Sequence, residues 1–359
     1  MNRLQLRFKI LSSRFMGPLI IAIGYPHYSS FKSSRWDGIS FDDEINRCIQ
    51  IYRKQLTCNN KVRRFFLKVD IIWCYYRYKA TPDEYFLFDF SHCNHKKRAT
   101  YLTTKHKDDV MRERVGMGKN WELLENKYIF YQHFKDFFKR DVLLLNLQTS
   151  LSSFAEFHSR HPVFILKPIG GQCGVGVIKI EGNTNSEVLY KKLQLEYQQC
   201  LLEEVIEQDL EMAALNMSSV NTVRLPTFIN KSGFHVLKPY LRMGRNGCVV
   251  DNTHGGGIFC GLDAKTGIIR TEGMDREGNL FSVHPDNNHQ LIGWQVPRWN
   301  ELIAFAQNVH ETIPYYPYVG WDFALTKNGW VLIEGNWGQF CAEYVDKEGI
   351  KDQFDAMFD

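Results

Sequence analysis

The sequence lacks the cysteine spacing of a disulfide framework or a zinc site. Its nine cysteines are scattered along 359 residues, and no two of them form a C-x-x-C pair. Two groups of histidine and cysteine are too isolated to make a metal-ligand set: His92-Cys93 with His95, and His158 with His161. This pattern favours free thiols in a reducing cytosol.

The sequence also lacks a long apolar run. No run approaches the roughly 18 residues that a membrane-spanning helix needs. The run 18–24 follows basic residues, as in a signal peptide, but it is short and has no small-x-small cleavage site. We expect it to form a buried strand or helix segment. A hydrophobic fraction of 44% with 14% aromatic residues is typical of a globular protein, here long enough for two or three domains.

Acidic residues are scarce near the N-terminus, where the first is Asp37. Residues 1–140 contain 27 Lys and Arg against 14 Asp and Glu, and the remaining residues contain 17 against 26. A basic half of this kind favours an acidic partner, such as an anionic membrane surface or a polyanionic saccharide, and a solvated basic face is the alternative. Nucleic acid is disfavoured as a partner because no DNA- or RNA-reading signature accompanies the charge.

The stretch 164–180 has neither of the two common phosphate-binding fingerprints. It reads FILKPIGGQCGVGVIKI, without the G-x-G-x-x-G of a dinucleotide-binding turn and without the G-x-x-x-x-G-K-[ST] of a P-loop. Four glycines nevertheless follow Lys167 within a short span, and the flanking runs predict strand, loop, strand. Glycine allows backbone N–H groups to approach phosphate oxygens closely. A phosphate-binding loop and a ligand-free hairpin are therefore both open from these residues alone.

Apolar and aromatic residues at helical spacing mark the first part of the chain. We expect helical segments at 41–51, 62–78, 121–138 and 154–158. The glycines of 116–118 are expected to mark a boundary, and short strands with glycine turns follow from Val163.

The stretch 320–336 reads as a β-hairpin, because two alternating runs flank Lys-Asn-Gly329. A three-residue loop with Gly329 in the left-handed conformation would pair Thr326 with Trp330. In that register Asp322 lies opposite Glu334. The apolar face would then contain Trp321, Phe323, Leu325, Val331 and Ile333, and the polar face would contain Asp322, Glu334 and Asn336.

Three oxygen-bearing side chains at one end of a hairpin predict a Mg²⁺ site, since hard cations take carboxylate and amide oxygens. The prediction depends on the register. A two-residue Asn-Gly loop would place Asp322 and Glu334 on opposite faces, and a hairpin with a half-polar face and no metal is the alternative.

Several short motifs, each weak alone, lie between the glycine loop and the hairpin. They are the acidic strand LLEEVI at 201–206, the sequence Asn-Thr-Val-Arg at 221–224, and DNTHGGG at 251–257. Taken in order with Lys127, Lys167 and the Ile-Glu-Gly-Asn of the hairpin, they resemble the ATP-grasp superfamily. The residues of the motifs Asn-Thr-Val-Arg and Ile-Glu-Gly-Asn are most similar to those of its sugar-transfer-associated branch. The resemblance covers about residues 120–340.

The resemblance implies an α+β fold in which two α+β subdomains clamp a nucleotide. A mixed, largely helical N-terminal region at 1–120 would precede them. The first subdomain, 121–208, would carry the glycine-rich lid and the hinge strand. The second, 209–359, would carry the metal and substrate site.

The resemblance also implies roles for individual residues. ATP would be held by Lys127, Lys167, Gly171, Gly174, Gly176, the hinge residues Glu203, Glu204, Val205 and Ile206, and either Asp209 or Glu211 at the ribose. Mg²⁺ would be held by Asp322, Glu334 and Asn336, in agreement with the hairpin argument. An acyl phosphate would be held by Arg224, Arg242, Asn252 and the glycines around Gly256.

We therefore expect a cytosolic, ATP- and Mg²⁺-dependent ligase of surface polysaccharide or cell-envelope metabolism. It would activate a small-molecule or saccharide-linked carboxylate as an acyl phosphate for attack by an amine or related nucleophile. One alternative is an ATP-grasp phosphotransferase that phosphorylates a hydroxyl. Another is a degenerate nucleotide-binding module at a membrane, against which the retained carboxylates and Lys167 count.

Overall fold

A computed structural model describes residues 41–52, 61–115, 122–170, 176–181, 185–248, 250–336 and 342–358 of the chain. The described residues up to 115 and those from Lys347 onward form one compact unit, and those from 122 to Asp346 form a second. The predicted apolar segment at 18–24 and the glycines of 116–118 lie outside the described residues. No described helix has the length and apolarity that crossing a membrane requires. The three predicted domain ranges stay predictions.

The first unit is helical, as expected for the N-terminal region. Its helices are Phe41–Ile51, Lys61–Tyr78, Pro82–Leu87, His95–Arg98, Thr104–Val115 and Lys351–Ala356, with a 3₁₀ turn at Phe90–His92. Thr81 and Glu84 form a capping box at the start of the third helix, in which each side chain accepts a hydrogen bond from the other residue's backbone N–H. Arg98 joins the helices by donating to both carboxylate oxygens of Asp70 at 2.7 Å.

The second unit contains a small four-stranded antiparallel sheet. Its spatial order is β1-β4-β2-β3, and its strands are β1 (Val142–Asn146), β2 (Phe164–Pro168), β3 (Ile178–Ile180) and β4 (Gln199–Glu204). Strands β2 and β3 flank the glycine-rich segment, so the predicted strand, loop, strand order is confirmed at both strands. Helices Leu151–Arg160 and Ser186–Glu196 share an apolar core with this sheet. Ser150 and Asn185 start these helices by accepting hydrogen bonds from backbone N–H groups of the first turn.

A larger antiparallel sheet of eight strands follows in the chain. Its order is β10-β9-β8-β7-β5-β11-β12, with β6 paired to β5. The strands are β5 (Thr222–Asn230), β6 (Gly233–Val236), β7 (Tyr240–Met243), β8 (Ile258–Gly261), β9 (Gly273–Met274), β10 (Leu280–Phe281), β11 (Tyr318–Thr326) and β12 (Gly329–Asn336). The accompanying helices are Glu122–Glu125, Lys127–Phe138, Leu210–Ala213, Trp299–Glu311 and Ala342–Asp346, with a 3₁₀ turn at Thr253–Gly255.

Trp321 anchors β11 in the core of the large sheet. It is fully buried, and its ring centroid lies 5.4 Å from that of Phe134 in helix Lys127–Phe138. Its indole N–H donates to Thr227 Oγ1 at 2.9 Å, and the same hydroxyl lies 2.7 Å from His310 Nδ1. A buried indole needs such a partner, because leaving its N–H unpaired would cost about 1–3 kcal/mol. This packing fixes the face of β11 that points away from the core.

The observed register of the β11–β12 hairpin differs from the predicted one. Thr326 pairs with Gly329, not Trp330, so the turn has two residues, Lys327 and Asn328. A β-bulge between Asp322 and Phe323 then shifts the pairing, because Phe323 pairs with Leu332 and Asp322 pairs with Glu334. The bulge restores the opposition of Asp322 and Glu334 that the shorter turn would have removed.

The two-residue turn also changes which residues of β12 reach the core. The predicted apolar residues of β11 are in the core cluster, namely Trp321, Phe323 and Leu325. Their partners from β12 are Trp330 and Leu332, whereas Val331 and Ile333 had been expected. The prediction for β12 was wrong because the turn has two residues, so Leu325 pairs with Trp330 and Phe323 pairs with Leu332.

Candidate active site

Four adjacent strands carry ionisable side chains at paired positions on one face of the large sheet. In the observed register Arg242 pairs with Thr222, Arg224 pairs with Asp322, and Asp322 pairs with Glu334. Directly paired residues lie on the same face, as do residues two apart in one strand. A row of charges therefore crosses the sheet in the order Arg242, Arg224, Asp322, Glu334, and we call its two carboxylates, Asp322 and Glu334, the acidic row.

Asp322 is fully buried and contacts both arginines. Arg224 donates to it through Nε, and through Nη2 at 2.9 Å, while Arg242 Nη2 lies 2.8 Å from Oδ2. Burial opposes the charge of Asp322, but the two guanidiniums hold its pKa well below the usual range. Asp322 is therefore an anion that the arginines fix in place.

Glu334 lies beside this anion in the edge strand and has a different environment. It is accessible to solvent, yet the surrounding protein and the negative charge of Asp322 raise its pKa to about 7. Asn336, two residues further along the same face, accepts a hydrogen bond from Arg224 Nη1 at 3.1 Å. Two carboxylates that repel one another next to an amide oxygen form a donor set that fits a divalent cation.

Arg242 extends the site toward the segment after β7. It donates to Thr222 Oγ1 from Nε at 3.0 Å and from Nη2 at 2.8 Å, and it lies 3.5 Å from Asp251 Oδ2. The Thr222 hydroxyl donates in turn to Asp251. Arg242 therefore joins the acidic part of the site to the residue that opens the DNTHGGG segment.

The DNTHGGG segment forms a tight turn that depends on its glycines. Asn252 Oδ1 accepts a hydrogen bond from the Gly255 N–H at 2.6 Å, and Gly256 has a left-handed φ of +92°. A Cβ on Gly257 would collide with the carbonyl oxygens of Asp251 and Met243. The backbone of this turn can therefore approach a ligand more closely than other residues would allow.

Arg245 holds this turn in place through hydrogen bonds, and no sequence motif indicated this residue. Its Nε donates to the Gly256 carbonyl at 2.5 Å, and its Nη2 donates to the buried Asp275 at 3.2 Å. Its guanidinium lies 5.1 Å from the ring centroid of Phe281. An arginine that forms contacts so distant in sequence leaves no local pattern from which to predict them.

The predicted ATP-contacting lysines lie at the start of helix Lys127–Phe138 and near the end of β2. Lys167, at the end of β2, donates to Glu203 Oε2 at 2.9 Å, and Lys127 donates to the Gly170 carbonyl at 3.4 Å. Burial lowers the pKa of the Lys127 amine, Lys167 adds to this effect, and Glu334 opposes it. Lys127 is thus within electrostatic reach of both Lys167 and Glu334, and it links the small sheet to the acidic row.

The predicted hinge begins inside the small sheet. Glu203 pairs with β1 on one side and with β2 on the other, and β4 ends at Glu204. Val205 and Ile206 lie beyond the strand. The predicted backbone contact of residues 203–206 with adenine stays a prediction.

The two ribose candidates have different surroundings. Asp209 starts helix Leu210–Ala213, since its Oδ1 accepts a hydrogen bond from the Glu211 N–H at 2.9 Å. The side chain of Glu211 is exposed. The choice between them stays open.

The structure brings eight of the predicted site residues into two groups. Arg224, Arg242, Asp322, Glu334 and Asn336 form the first, and Lys127, Lys167 and Glu203 form the second. Gly171 and Gly174 lie outside the described residues, and Gly176 has a positive φ of +76°. The roles assigned to all these residues stay predictions. Besides Arg245, three residues of these networks had no role assigned from the sequence: Arg140, and Thr222 and Asp251, which lie inside two of the motifs.

Solved structures similar to this chain include ligases of low sequence identity. The D-alanine–D-alanine ligase from Helicobacter pylori is 15% identical over 66% of this chain and 60% of its own, with a TM-score of 0.41. The D-alanyl-alanine synthetase A from Vibrio cholerae is 14% identical over 61% of this chain and 55% of its own, with a TM-score of 0.37. The N5-carboxyaminoimidazole synthetase from Staphylococcus aureus, complexed with ADP, is 12% identical over 61% and 46%, with a TM-score of 0.38. The chain thus spans less than two thirds of each.

No curated protein matches the sequence. The family model described as sugar-transfer associated ATP-grasp matches residues 109–357, well over half of the chain. The match includes both sheets and every predicted site residue. It confirms the ATP-grasp fold expected from the motifs, and the α+β architecture agrees with it. The chain belongs to the sugar-transfer associated ATP-grasp family.

Proposed function

We propose that this protein is an ATP- and Mg²⁺-dependent ligase that activates a carboxylate as an acyl phosphate for attack by an amine or related nucleophile. The observation that carries the proposal is the row of Arg242, Arg224, Asp322 and Glu334 on one face of the large sheet. Such a row offers anions for a metal and cations for phosphate oxygens side by side. Phosphoryl transfer needs both, because its catalysis consists mainly of positioning and charge neutralisation.

ATP would lie between the small sheet and this row. Lys127 and Lys167 are the cations available to its phosphates, and the segment Val205–Ile206 is available to adenine. The position of Lys127, within electrostatic reach of Glu334, supports a phosphate chain that runs toward the acidic row. Asp209 or Glu211 would accept hydrogen bonds from the ribose hydroxyls.

Asp322, Glu334 and Asn336 would hold Mg²⁺. The ion, when bound, would neutralise phosphate charge and orient the γ-phosphate. The repulsion between Asp322 and Glu334 favours a cation at this place. Arg224 keeps Asp322 and Asn336 oriented through hydrogen bonds to both.

The proposed ligase reaction has two steps. In the first, a carboxylate oxygen of the acid attacks the γ-phosphorus, and the bond between that phosphorus and the oxygen of the departing ADP breaks. In the second, the amine nitrogen attacks the acyl carbon, inorganic phosphate leaves with the bonding electrons, and the nitrogen loses a proton. Arg224, Arg242 and the turn of Asn252 and Gly255–Gly257 would hold the acyl phosphate between the steps.

We place this reaction in the cytosol and in surface polysaccharide or cell-envelope synthesis, as the family's association with sugar transfer suggests. Free thiols among the described cysteines are compatible with a reducing compartment: Cys48, Cys74, Cys93, Cys200, Cys248 and Cys260. The excess of basic residues in the first 140 positions supports a peripheral contact with an anionic membrane surface.

The test is a turnover assay with Mg²⁺, ATP labelled at the γ-phosphate, a panel of amino and uronic acids, and hydroxylamine as the nucleophile. A ligase yields a hydroxamate and free labelled phosphate for at least one acid. The variant Glu334→Gln is expected to lose this turnover, while Arg270→Met, at an exposed ion pair with Asp263, is expected to keep it.

The same assays distinguish the alternatives. A labelled, stable phosphorylated acceptor without hydroxamate would replace the ligase with a phosphotransferase. Normal turnover in Glu334→Gln would remove the metal assignment. Absence of ATP binding would overturn the enzymatic proposal.

A further inference from the structure

Arg140 connects the small sheet with the strand that carries Glu334. It follows helix Lys127–Phe138, whose end is marked by Lys139 with a φ of +48°. Its Nε and Nη2 donate to Glu203 Oε2 at 3.0 and 2.8 Å, and its Nη1 donates to the Leu332 carbonyl at 2.7 Å. The side chains of Arg140 and Glu203 are each 4% exposed. One buried guanidinium therefore joins β4 to β12.

The same carboxylate oxygen also holds Lys167. The Lys167 amine and the Arg140 guanidinium both donate to Glu203 Oε2, so two cations share one negative charge. Burial opposes this charge, but the two cations lower the pKa of Glu203 to about 2, and the group is ionised at neutral pH. The trio carries a net charge of one positive unit.

The other end of the guanidinium acts on the bulge. Leu332 is the last residue of β12 before the extra Ile333, and Glu334 follows directly. A hydrogen bond to the Leu332 carbonyl restricts the strand where the bulge turns Glu334 onto the face of Asp322. A shift of the Arg140 side chain would therefore change the surroundings of Lys167 through Glu203 and those of Glu334 through Leu332.

We propose that Arg140 is a positioning residue that keeps Lys167 available to the phosphates of ATP and ties nucleotide binding to the metal-binding strand; this inference rests on the proposed function. Arg140 neutralises Glu203, which would otherwise hold Lys167 alone. As a result, the positive charge of Lys167 is not fully balanced by Glu203 and can attract an entering phosphate. The hydrogen bond to Leu332 transmits the arrangement of the small sheet to Glu334.

The experiment compares Arg140→Met, Glu203→Gln and the double variant by isothermal titration with a non-hydrolysable ATP analogue, with and without Mg²⁺. In Arg140→Met, Glu203 is left to Lys167 alone, and we expect at least a tenfold loss of affinity. In the double variant Lys167 is released again, so most of the lost affinity is expected to return without Mg²⁺. The enhancement by Mg²⁺ is expected to stay reduced, since the Leu332 carbonyl still lacks its donor.

The matched control is Arg270→Met, which removes an arginine that is 64% exposed from a surface ion pair and is expected to bind as the wild type does. Arg140→Met with unchanged affinity would overturn the proposal. A double variant no tighter than Arg140→Met would also overturn it, because releasing Lys167 from Glu203 would then not restore binding.

Two further outcomes are distinguishable. If thermal unfolding shows that Arg140→Met is not folded, Arg140→Lys provides the test: it keeps the charge, and we expect affinity within threefold of wild type but a weaker effect of Mg²⁺. An unaltered Mg²⁺ effect in that variant would contradict the tie to β12. A wild-type protein that fails to bind the ATP analogue would overturn the proposed function itself.

Discussion

Replacing Asp322 by asparagine should destabilise the protein even when no ligand is present. Asp322 is fully buried between Arg224 and Arg242, and an asparagine of the same shape would leave two buried guanidiniums without their shared anion. Removing one partner of a buried ion pair costs about 3–5 kcal/mol, most of it from the charge left uncompensated. The prediction tests whether the acidic row is a structural part of the large sheet as well as a site.

The expected size of the effect follows from the second unit, Met117–Asp346. For a unit of this length each kcal/mol lowers the melting temperature by roughly 2–4 °C. Asp322→Asn should therefore melt about 6–20 °C below the wild type at neutral pH.

The assay is thermal unfolding followed by circular dichroism, with urea unfolding as a second measure. Glu187→Gln serves as the surface control, since its ion pair with Lys191 is exposed and contributes little to stability. Glu334→Gln serves as the comparison within the row. It should not lower the melting temperature at pH 8, because it removes a charge that Asp322 repels. Equal melting temperatures for Asp322→Asn and Glu187→Gln would refute the reasoning.

Three further predictions concern the core, the turn and the lid. Burial lowers the pKa of His310 to about 4, below its value in the unfolded chain. The free energy of unfolding should therefore fall as the pH falls from 6.5 through 4, by about 3 kcal/mol in all. Urea unfolding at several pH values should show this loss and its absence in His310→Gln; equal pH dependence in both would contradict it. Gly257→Ala should reduce turnover at least tenfold, because the new Cβ would collide with the backbone of Met243 and Asp251 and displace the turn. Gly293→Ala is the control: its Cβ meets open space at a φ of +91°, so it should cost only about 1–3 kcal/mol of backbone strain and keep activity. Lys167→Ala should weaken binding of the ATP analogue in a titration, and unchanged affinity would count against a role for Lys167.

The sequence predicts much of the fold because apolar periodicity is local. The helices at 41–51 and 61–78 and the strands on both sides of the glycine loop follow from spacing alone. The strand order of the large sheet does not, because the pairing of β5 with both β7 and β11 joins residues that are distant in the chain. The contact of both arginines with Asp322 depends on that order, and no single motif contains it.

The hairpin shows a correct site reached through a wrong register. The alternation of residues fixed the strands but not the length of the turn, and the shorter turn observed would have separated Asp322 from Glu334. The bulge at Ile333 reverses this, yet Ile333 looks like any other strand residue in the sequence. Two errors in the predicted pairing thus cancelled at the site and remained visible only in the core-facing residues of β12.

Arg140 and Arg245 were missed for a common reason. Each donates to a backbone carbonyl and to a buried acid that lie outside its own helix, strand or turn: Arg140 to Leu332 and Glu203, and Arg245 to Gly256 and Asp275. Sequence motifs record side chains that contact ligands at fixed spacing. They do not record the arginines that hold such segments in place, which the three-dimensional contacts alone reveal.

Nucleotide binding by the wild type and by Glu334→Gln tests the proposed enzyme most directly. The measurement is isothermal titration with a non-hydrolysable ATP analogue, with and without Mg²⁺, and with a GTP analogue as control. We expect adenine-selective, micromolar binding that Mg²⁺ strengthens in the wild type, and loss of the Mg²⁺ effect in Glu334→Gln with the metal-free affinity retained. No binding by the wild type, or the same Mg²⁺ effect in both proteins, would contradict the assignment of this site to Mg²⁺ and ATP.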